Sequence, residues 1–317
     1  MKAVLVTLVA IGLATTAHAG ETMELTAPGP EGDLAGTLIA PADGKPTLLI
    51  IPGSGPTDRD GNNPAGVTAG SYRLLVEALG EQGIGSLRID KRGMFGSKAA
   101  TTNPNDVTVS AYASDVAEWV NVARETTGAD CIWLLGHSEG GLIALEAVQK
   151  GEGICGVLLV AAPGRPMGDI LRQQLLANPA NVPIMNDALS AIAALEKGER
   201  VSTDGMNPAL MGLFAPAVQG FLIDLMSRDP AAMAGRVALP MVIVSGGKDI
   251  QTQPADAEAL MRGQPTAKLV RIADMNHVLK AVQGESRAAN LATYSDSSLP
   301  IHPELVAAVS AFVIGTD

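Results

Sequence analysis

The spacing of apolar and polar positions changes rhythm along the chain, and the changes divide it. "TMELTA" and "LAGTLIA" flank the turn "PGPEGD", an alternation of period two that predicts a β-hairpin. "TLLIIPG" (47–53) is a continuous apolar run closing in Pro-Gly, which predicts a strand buried on both faces. "SYRLLVEALGEQG" has helical spacing and "IGSLRID" reads as a strand. "SAYASDVAEWVNVARETTG" is an amphipathic helix with Tyr112, Val116, Trp119, Val120 and Ala123 on one side. "CIWLLG", "EGGLIALEAVQKG" and "ICGVLLVAAP" continue as strand, helix and strand. This alternation predicts an α/β fold with a mostly parallel sheet covered on both faces.

Residues 165–238 abandon that rhythm. They hold helical stretches ("MGDILRQQLLAN", "IMNDALSAIAALEKG", "NPALMGLFAPAVQGFLIDLMS") and no convincing strand, with breaks at Asn178-Pro179, Gly205 and Asn207-Pro208. Strand–helix alternation resumes with "PMVIVSGG", "PADAEALMRG", "AKLVRIAD" and a last helix, "HPELVAAVSAFVIG". The predicted organisation is a leader over 1–19, core over 20–164, a helical cap insert over 165–238 and core again over 239–317. The cap is expected over the C-terminal edge of the sheet, where open α/β sheets place their sites.

Composition changes the picture at the start of the chain and at its surface. Lys2, the apolar "AVLVTLVAIGLA" and the small-residue "AHA" read as a secretory leader cleaved after Ala19, with a buried N-terminal helix as the plainer alternative. The mature chain is then periplasmic or secreted, without stable membrane insertion. Net charge is −11, and loss of Lys2 with the leader makes it −12. Such a surface repels phosphate backbones and anionic lipid, which excludes nucleic acid as a natural partner class. An oxidising compartment permits a bridge between Cys131 and Cys155, but spacing alone leaves two buried free thiols equally open. No His/Cys cluster has metal-ligand spacing, and no G-x-G-x-x-G follows a strand, so neither a metal nor a nucleotide cofactor is expected.

The candidate chemistry centres on Gly136-His137-Ser138-Glu139-Gly140, a G-x-S-x-G between an apolar strand and a helix. A turn that sharp holds Ser138 in strained backbone angles above the sheet edge, with the helix N-terminus behind it. A serine nucleophile needs a base and the base an orienting acid. His137 sits within the turn, where its ring does not reach back to Oγ, and His302 in "PIHPEL" reads as a loop or cap residue. His277 in "DMNHVLK" and Asp249 in "VSGGKD" each follow a late strand, in the chain order Ser, Asp, His. Asp274 is the spare acid. The oxyanion hole is assigned to the backbone amides of Glu139 and of Ser54, with Gly53 permitting close approach. Asp58, Arg59 and Asp60 are expected to pin the Ser54 loop. The Glu139 carboxylate is expected to be neutralised by Lys91 or Arg92.

"GHSEGG", "GGKD" and "MNH" together resemble the α/β-hydrolase superfamily. "IPGSGPTDRDGN" with "RIDKRGMFGS" resembles a bacterial carboxylesterase branch grouped with serine aminopeptidase-like hydrolases. The resemblance spans the mature chain. It implies an eight-stranded α/β-hydrolase sheet with a helical cap, a Ser138–His277–Asp249 triad and cofactor-free hydrolysis of a small-molecule ester. The Leu-, Met- and Ala-rich cap suits short to medium acyl chains. A peptidase or amidase would need an acid to hold a free amine, with Asp169, Asp187, Glu196, Glu199 and Asp224 available in the cap. A non-catalytic binding module is the reading outside the enzymes.

Overall fold

A computed structural model of the chain describes residues 20–315, so the leader-like segment 1–19 lies outside the described residues. Eight strands form one sheet in the order β1-β2-β4-β3-β5-β6-β7-β8. β1 (Thr22–Ala27) and β2 (Leu34–Ile39) are the expected hairpin, and β2 also runs antiparallel to β4 (Gly85–Ile89). β3 (Thr47–Ile51), β5 (Ile132–His137), β6 (Ile154–Val160), β7 (Met241–Gly246) and β8 (Lys268–Ile272) pair in parallel with their neighbours.

The continuous apolar runs follow from the two-sided cover. Leu49 and Ile51 of β3 face one core with Leu134 of β5, whereas Leu48 and Ile50 face the other with Leu135. The first core is closed by α2 (Val109–Thr127), whose Trp119, Val116 and Val120 are buried, and by α3 (Glu139–Ala147). The second is closed by α1 (Ser71–Gly80) and by the last helix, Pro303–Ile314. Ser138 lies at the C-terminal end of β5, at the sheet edge that the insert covers.

The insert carries α4 (Met167–Leu176), α5 (Met185–Leu195), α6 (Met211–Phe214), α7 (Gln219–Met226) and α8 (Pro230–Ala234). A small core of its own includes Leu195, Phe214, Leu222 and Met226. One expectation needs correction. The stretch 207–227 is not one helix, because Pro216 forces Ala215 out of helical geometry to φ −51°, ψ 141° and separates α6 from α7. Residues 230–238, at the end of the insert, pack with the main core through Met233, Ala234 and Val237. After β7 come α9 (Pro254–Gly263), β8, a short helix α10 (Arg287–Ala292) that the pattern did not predict, and α11, the Pro303–Ile314 helix. Cys131 and Cys155 form a disulfide beside the starts of β5 and β6, with Cα atoms 5.2 Å apart.

Candidate active site

Ser138 is the turn between β5 and α3, with φ 52° and ψ −126°. A residue with a Cβ in such a region costs on the order of 1–3 kcal/mol, so neighbouring packing must hold it there. It does, through the flanking glycines. A Cβ at Gly136 would lie 2.3 Å from the Gly140 carbonyl oxygen, and one at Gly140 2.2 Å from that of Ile51. One at Gly141 would lie 2.5 Å from Ala162 Cβ. The glycines let α3 press onto β3 and β6, and that pressure fixes the elbow.

The loops after β7 and β8 bring the other two predicted residues together. His277 Nδ1 lies 2.8 Å from Asp249 Oδ2, with both side chains buried. A carboxylate can only accept, so Nδ1 carries a proton, and the ring lines the same cleft as Ser138. Asp249 is itself held: Oδ1 accepts from the amides of Gln251 (2.7 Å) and Thr252 (3.0 Å), and Oδ2 from Thr252 Oγ1 (2.8 Å). Burial is the largest influence on this carboxyl and would raise its pKa, but the charge on His277 and these hydrogen bonds outweigh it and hold it below its ordinary value. Asp274, the spare acid, instead accepts from His302 Nε2 at 3.0 Å. His302 also caps α11, its Nδ1 accepting from Glu304 N.

The loop after β3 passes directly over the serine, since a Cβ on Gly53 would sit 3.2 Å from Ser138 Cβ. Ser54 lines the cleft. Glu139 N is the first amide of α3, an end that leaves its donors without intrahelical partners. The Glu139 side chain is buried and pairs with Lys91 Nζ at 3.0 Å, whereas Arg92 turns away to Asp115 at 2.9 Å. The charge cluster pins the loop as expected. Arg59 bonds Asp90 (Nη2–Oδ2, 2.7 Å) and Glu24 (2.7 Å), Asp60 pairs with Arg88, and Asp58 Oδ1 accepts from the amides of Asp60 and Asn62.

Sequence reasoning missed two residues. Both ring nitrogens of His137 are engaged elsewhere: its Nε2 donates to the His277 carbonyl at 2.9 Å and its Nδ1 accepts from Tyr72 Oη at 2.7 Å. Tyr72 Oη in turn accepts from Gly53 N at 3.0 Å. Burial, and then the charge of His277, push His137 down to about 3, so the ring is neutral and this directional chain is stable. The signal for His137 was its place beside the nucleophile; for Tyr72, an apolar helix position, there was none.

Two cavities meet at Ser54, Ser138 and Gln251. One, of about 130 Å³, is lined by polar groups including Thr57, Asn63 and Tyr294. The other, of about 350 Å³, lies under the cap and is walled by aliphatic side chains such as Ile170, Leu171, Leu213 and Leu222. Among the described residues that line either cavity the only carboxylate is Glu139, already paired with Lys91. No metal-binding group of His, Cys, Asp and Glu occurs among the described residues.

The family described as "Hydrolase_4: Serine aminopeptidase, S33" matches residues 65–280. Esterase EstD of Thermotoga maritima is 28% identical over 250 residues, which cover 76% of this chain and 56% of that protein, so the chain spans just over half the length of this curated relative. Among solved structures, the α/β hydrolase GrgF from Penicillium superposes with a TM-score of 0.57 at 20% identity, over 81% of this chain and 91% of that one. An esterase from Exiguobacterium antarcticum superposes with a TM-score of 0.56 at 16% identity, over 92% of this chain and 100% of that one. The sheet order, the nucleophile-type elbow and the family match over 65–280 agree: the chain belongs to the serine aminopeptidase-type hydrolase family and has the α/β-hydrolase fold.

Proposed function

We propose that this protein is an exported serine esterase that cleaves carboxylic esters of short to medium acyl chains through an acyl-enzyme. His277 Nε2 takes the proton of Ser138 Oγ as the oxygen attacks the ester carbonyl. The oxyanion that forms is held by the amides of Ser54 and Glu139, the usual way such charge is stabilised. The intermediate collapses, and the alcohol leaves with the proton returned by His277. Water, deprotonated by the same nitrogen, then attacks the acyl carbon and releases the acid. Asp249 holds the imidazole in the required tautomer and stabilises it when charged.

One observation carries the reading: Ser138, on strained backbone, shares a cleft with a buried histidine whose Nδ1 is fixed by Asp249. The aliphatic cavity that opens on the same serine favours an acyl chain. A peptidase acting on free amino termini is less favoured, because the acids of the cap are engaged or turned elsewhere. Asp169 and Glu196 pair with Arg172, Asp224 pairs with Arg228, Asp187 faces a separate open hollow, and Glu199 is exposed away from both cavities. Export to the periplasm or medium is supported by the leader-like first nineteen residues and by the Cys131–Cys155 bond.

The test is hydrolysis of p-nitrophenyl esters from acetate to decanoate by the mature protein and by Ser138→Ala. Turnover that drops by at least about a thousandfold in the variant is the expected result. Equal turnover by the two proteins would remove Ser138 as the nucleophile, and turnover of aminoacyl amides alone would favour the peptidase reading.

A further inference from the structure

The buried ammonium of Lys91 makes a second contact that neutralising Glu139 does not require. Lys91 Nζ donates to the carbonyl oxygen of Gly53 at 2.7 Å, a shorter contact than its 3.0 Å bond to Glu139 Oε1. The Tyr112 ring lies 5.2 Å from the same nitrogen, and both charged side chains are almost wholly buried. Gly53 C=O and Ser54 N–H belong to one peptide group. That peptide is trans, so its carbonyl and its N–H point in opposite directions. A donor that holds the carbonyl from behind therefore aims the Ser54 N–H the other way, toward the cleft that Ser54 and Ser138 line.

We propose that Lys91 is a positioning residue for the oxyanion hole, fixing its two halves to one ammonium. Its bond to Gly53 O sets the direction of the Ser54 amide. Its bond to the Glu139 side chain ties down the residue whose own backbone N–H begins α3. The loop is held on the opposite side of Gly53 as well, by the bond from Gly53 N to Tyr72 Oη. The Gly53–Ser54 peptide is thus held at its carbonyl and the peptide before it at its N–H, which leaves the Ser54 N–H little freedom to rotate away from a forming anion. A cation on the carbonyl also polarises the peptide group, which strengthens the N–H at its far end as a donor. The contribution is to the transition state, because charge on the substrate oxygen appears there and not in the bound ester.

This inference rests on the serine-esterase reading. The two are separated by first requiring that the parent enzyme turn over p-nitrophenyl butyrate and that Ser138→Ala not do so; failure there ends the reading before Lys91 is touched. Lys91→Met alone leaves the Glu139 carboxylate buried without a partner and threatens the fold, so the decisive variant is Lys91→Met/Glu139→Met. Replacing a whole buried ion pair by apolar side chains is commonly tolerated. The double variant is expected to melt cooperatively, with kcat lower by about 10- to 100-fold and KM within about threefold, somewhat less than the loss of an oxyanion donor outright. The inhibition constant of an alkyl trifluoromethyl ketone, whose adduct with Ser138 carries the oxyanion, should rise by the same factor as kcat/KM falls. A folded double variant with kcat within twofold of the parent would overturn the proposal. So would a loss expressed in KM with the ketone binding unchanged, since that is the mark of a residue that only supports the pocket wall.

Discussion

His137 links two parts of the site without joining the chemistry, and its position explains why a single sequence hid it. One face of its ring environment is the Tyr72 hydroxyl and the other the backbone of His277, whose ring centroid lies 4.9 Å away. Elimination from the sequence removed His137 as the base and then had nothing left for it, since its partners lie 65 and 140 positions away. Ser138, His277 and Asp249 were legible for the opposite reason: each stands at the end of an apolar run, and strand ends are visible in sequence. A buried neutral histidine has a consequence for stability. Its folded pKa, about 3, lies below the ordinary value of 6.5, so below pH 6.5 the unfolded chain takes up a proton that the folded chain does not. Stability is then full above 6.5 and falls as pH is lowered toward 3. Between pH 6.5 and 5 this one group should cost on the order of 1–2 kcal/mol. Urea unfolding of the parent and of His137→Gln at those two pH values should show a shallower acid loss in the variant. Identical losses would mean that His137 is not the group responsible.

Among the elements, β5 and β6 show what pattern can and cannot settle. Their apolar runs predict adjacent buried strands, and the ladder pairs them from Ile132↔Ile154 to His137↔Val160. Whether the two cysteines at their starts are joined depends on a register that no spacing fixes, and the sequence left that open. The bond closes a loop across 24 positions that contains the elbow and α3. Closing a loop of this size stabilises a fold by about 3 kcal/mol through the unfolded chain. The bridge sits at the opposite end of β5 from Ser138, about 20 Å away by strand rise. Cys131→Ser/Cys155→Ser should therefore lower Tm by roughly 5–10 °C while kcat at 25 °C changes little. An unchanged Tm in non-reducing buffer would show that the bridge contributes nothing to the folded state. The helix missed by the pattern, α10, has its N-cap in Ser286 and only six residues, too few for periodicity to register. It matters because Asn290 on it bonds Asn276 and the Lys248 carbonyl, bracing the His277 and Asp249 loops against each other.

For the whole molecule, the question is why the chain interrupts its sheet with a helical insert between β6 and β7. The insert is tied to the core on both sides of the site. Asp224 Oδ2 accepts from Val109 N at the start of α2, and Gln174 on α4 donates to the Gln251 carbonyl in the loop that carries Asp249. Its roof over Ser138 is aliphatic, whereas the cleft on the other side of the serine carries more polar groups, among them Thr57, Asn63 and Gln251. A substrate bridging the two would place an apolar acyl chain beneath the cap and a more polar alcohol in the smaller cleft. The sequence indicated an apolar cap but could not distinguish side chains that line the cavity from those that only pack the cap's own core: Leu171 lines the cavity while resting on that core, and Leu195 lies wholly within it. Leu171→Phe should shorten the cavity, and each methylene such a pocket fails to accommodate is worth about 1–3 kcal/mol in kcat/KM. The ratio of decanoate to acetate hydrolysis should thus fall by at least about tenfold relative to the parent. If the ratio does not move, the acyl chain does not lie against α4, and the polar cleft would have to receive it instead.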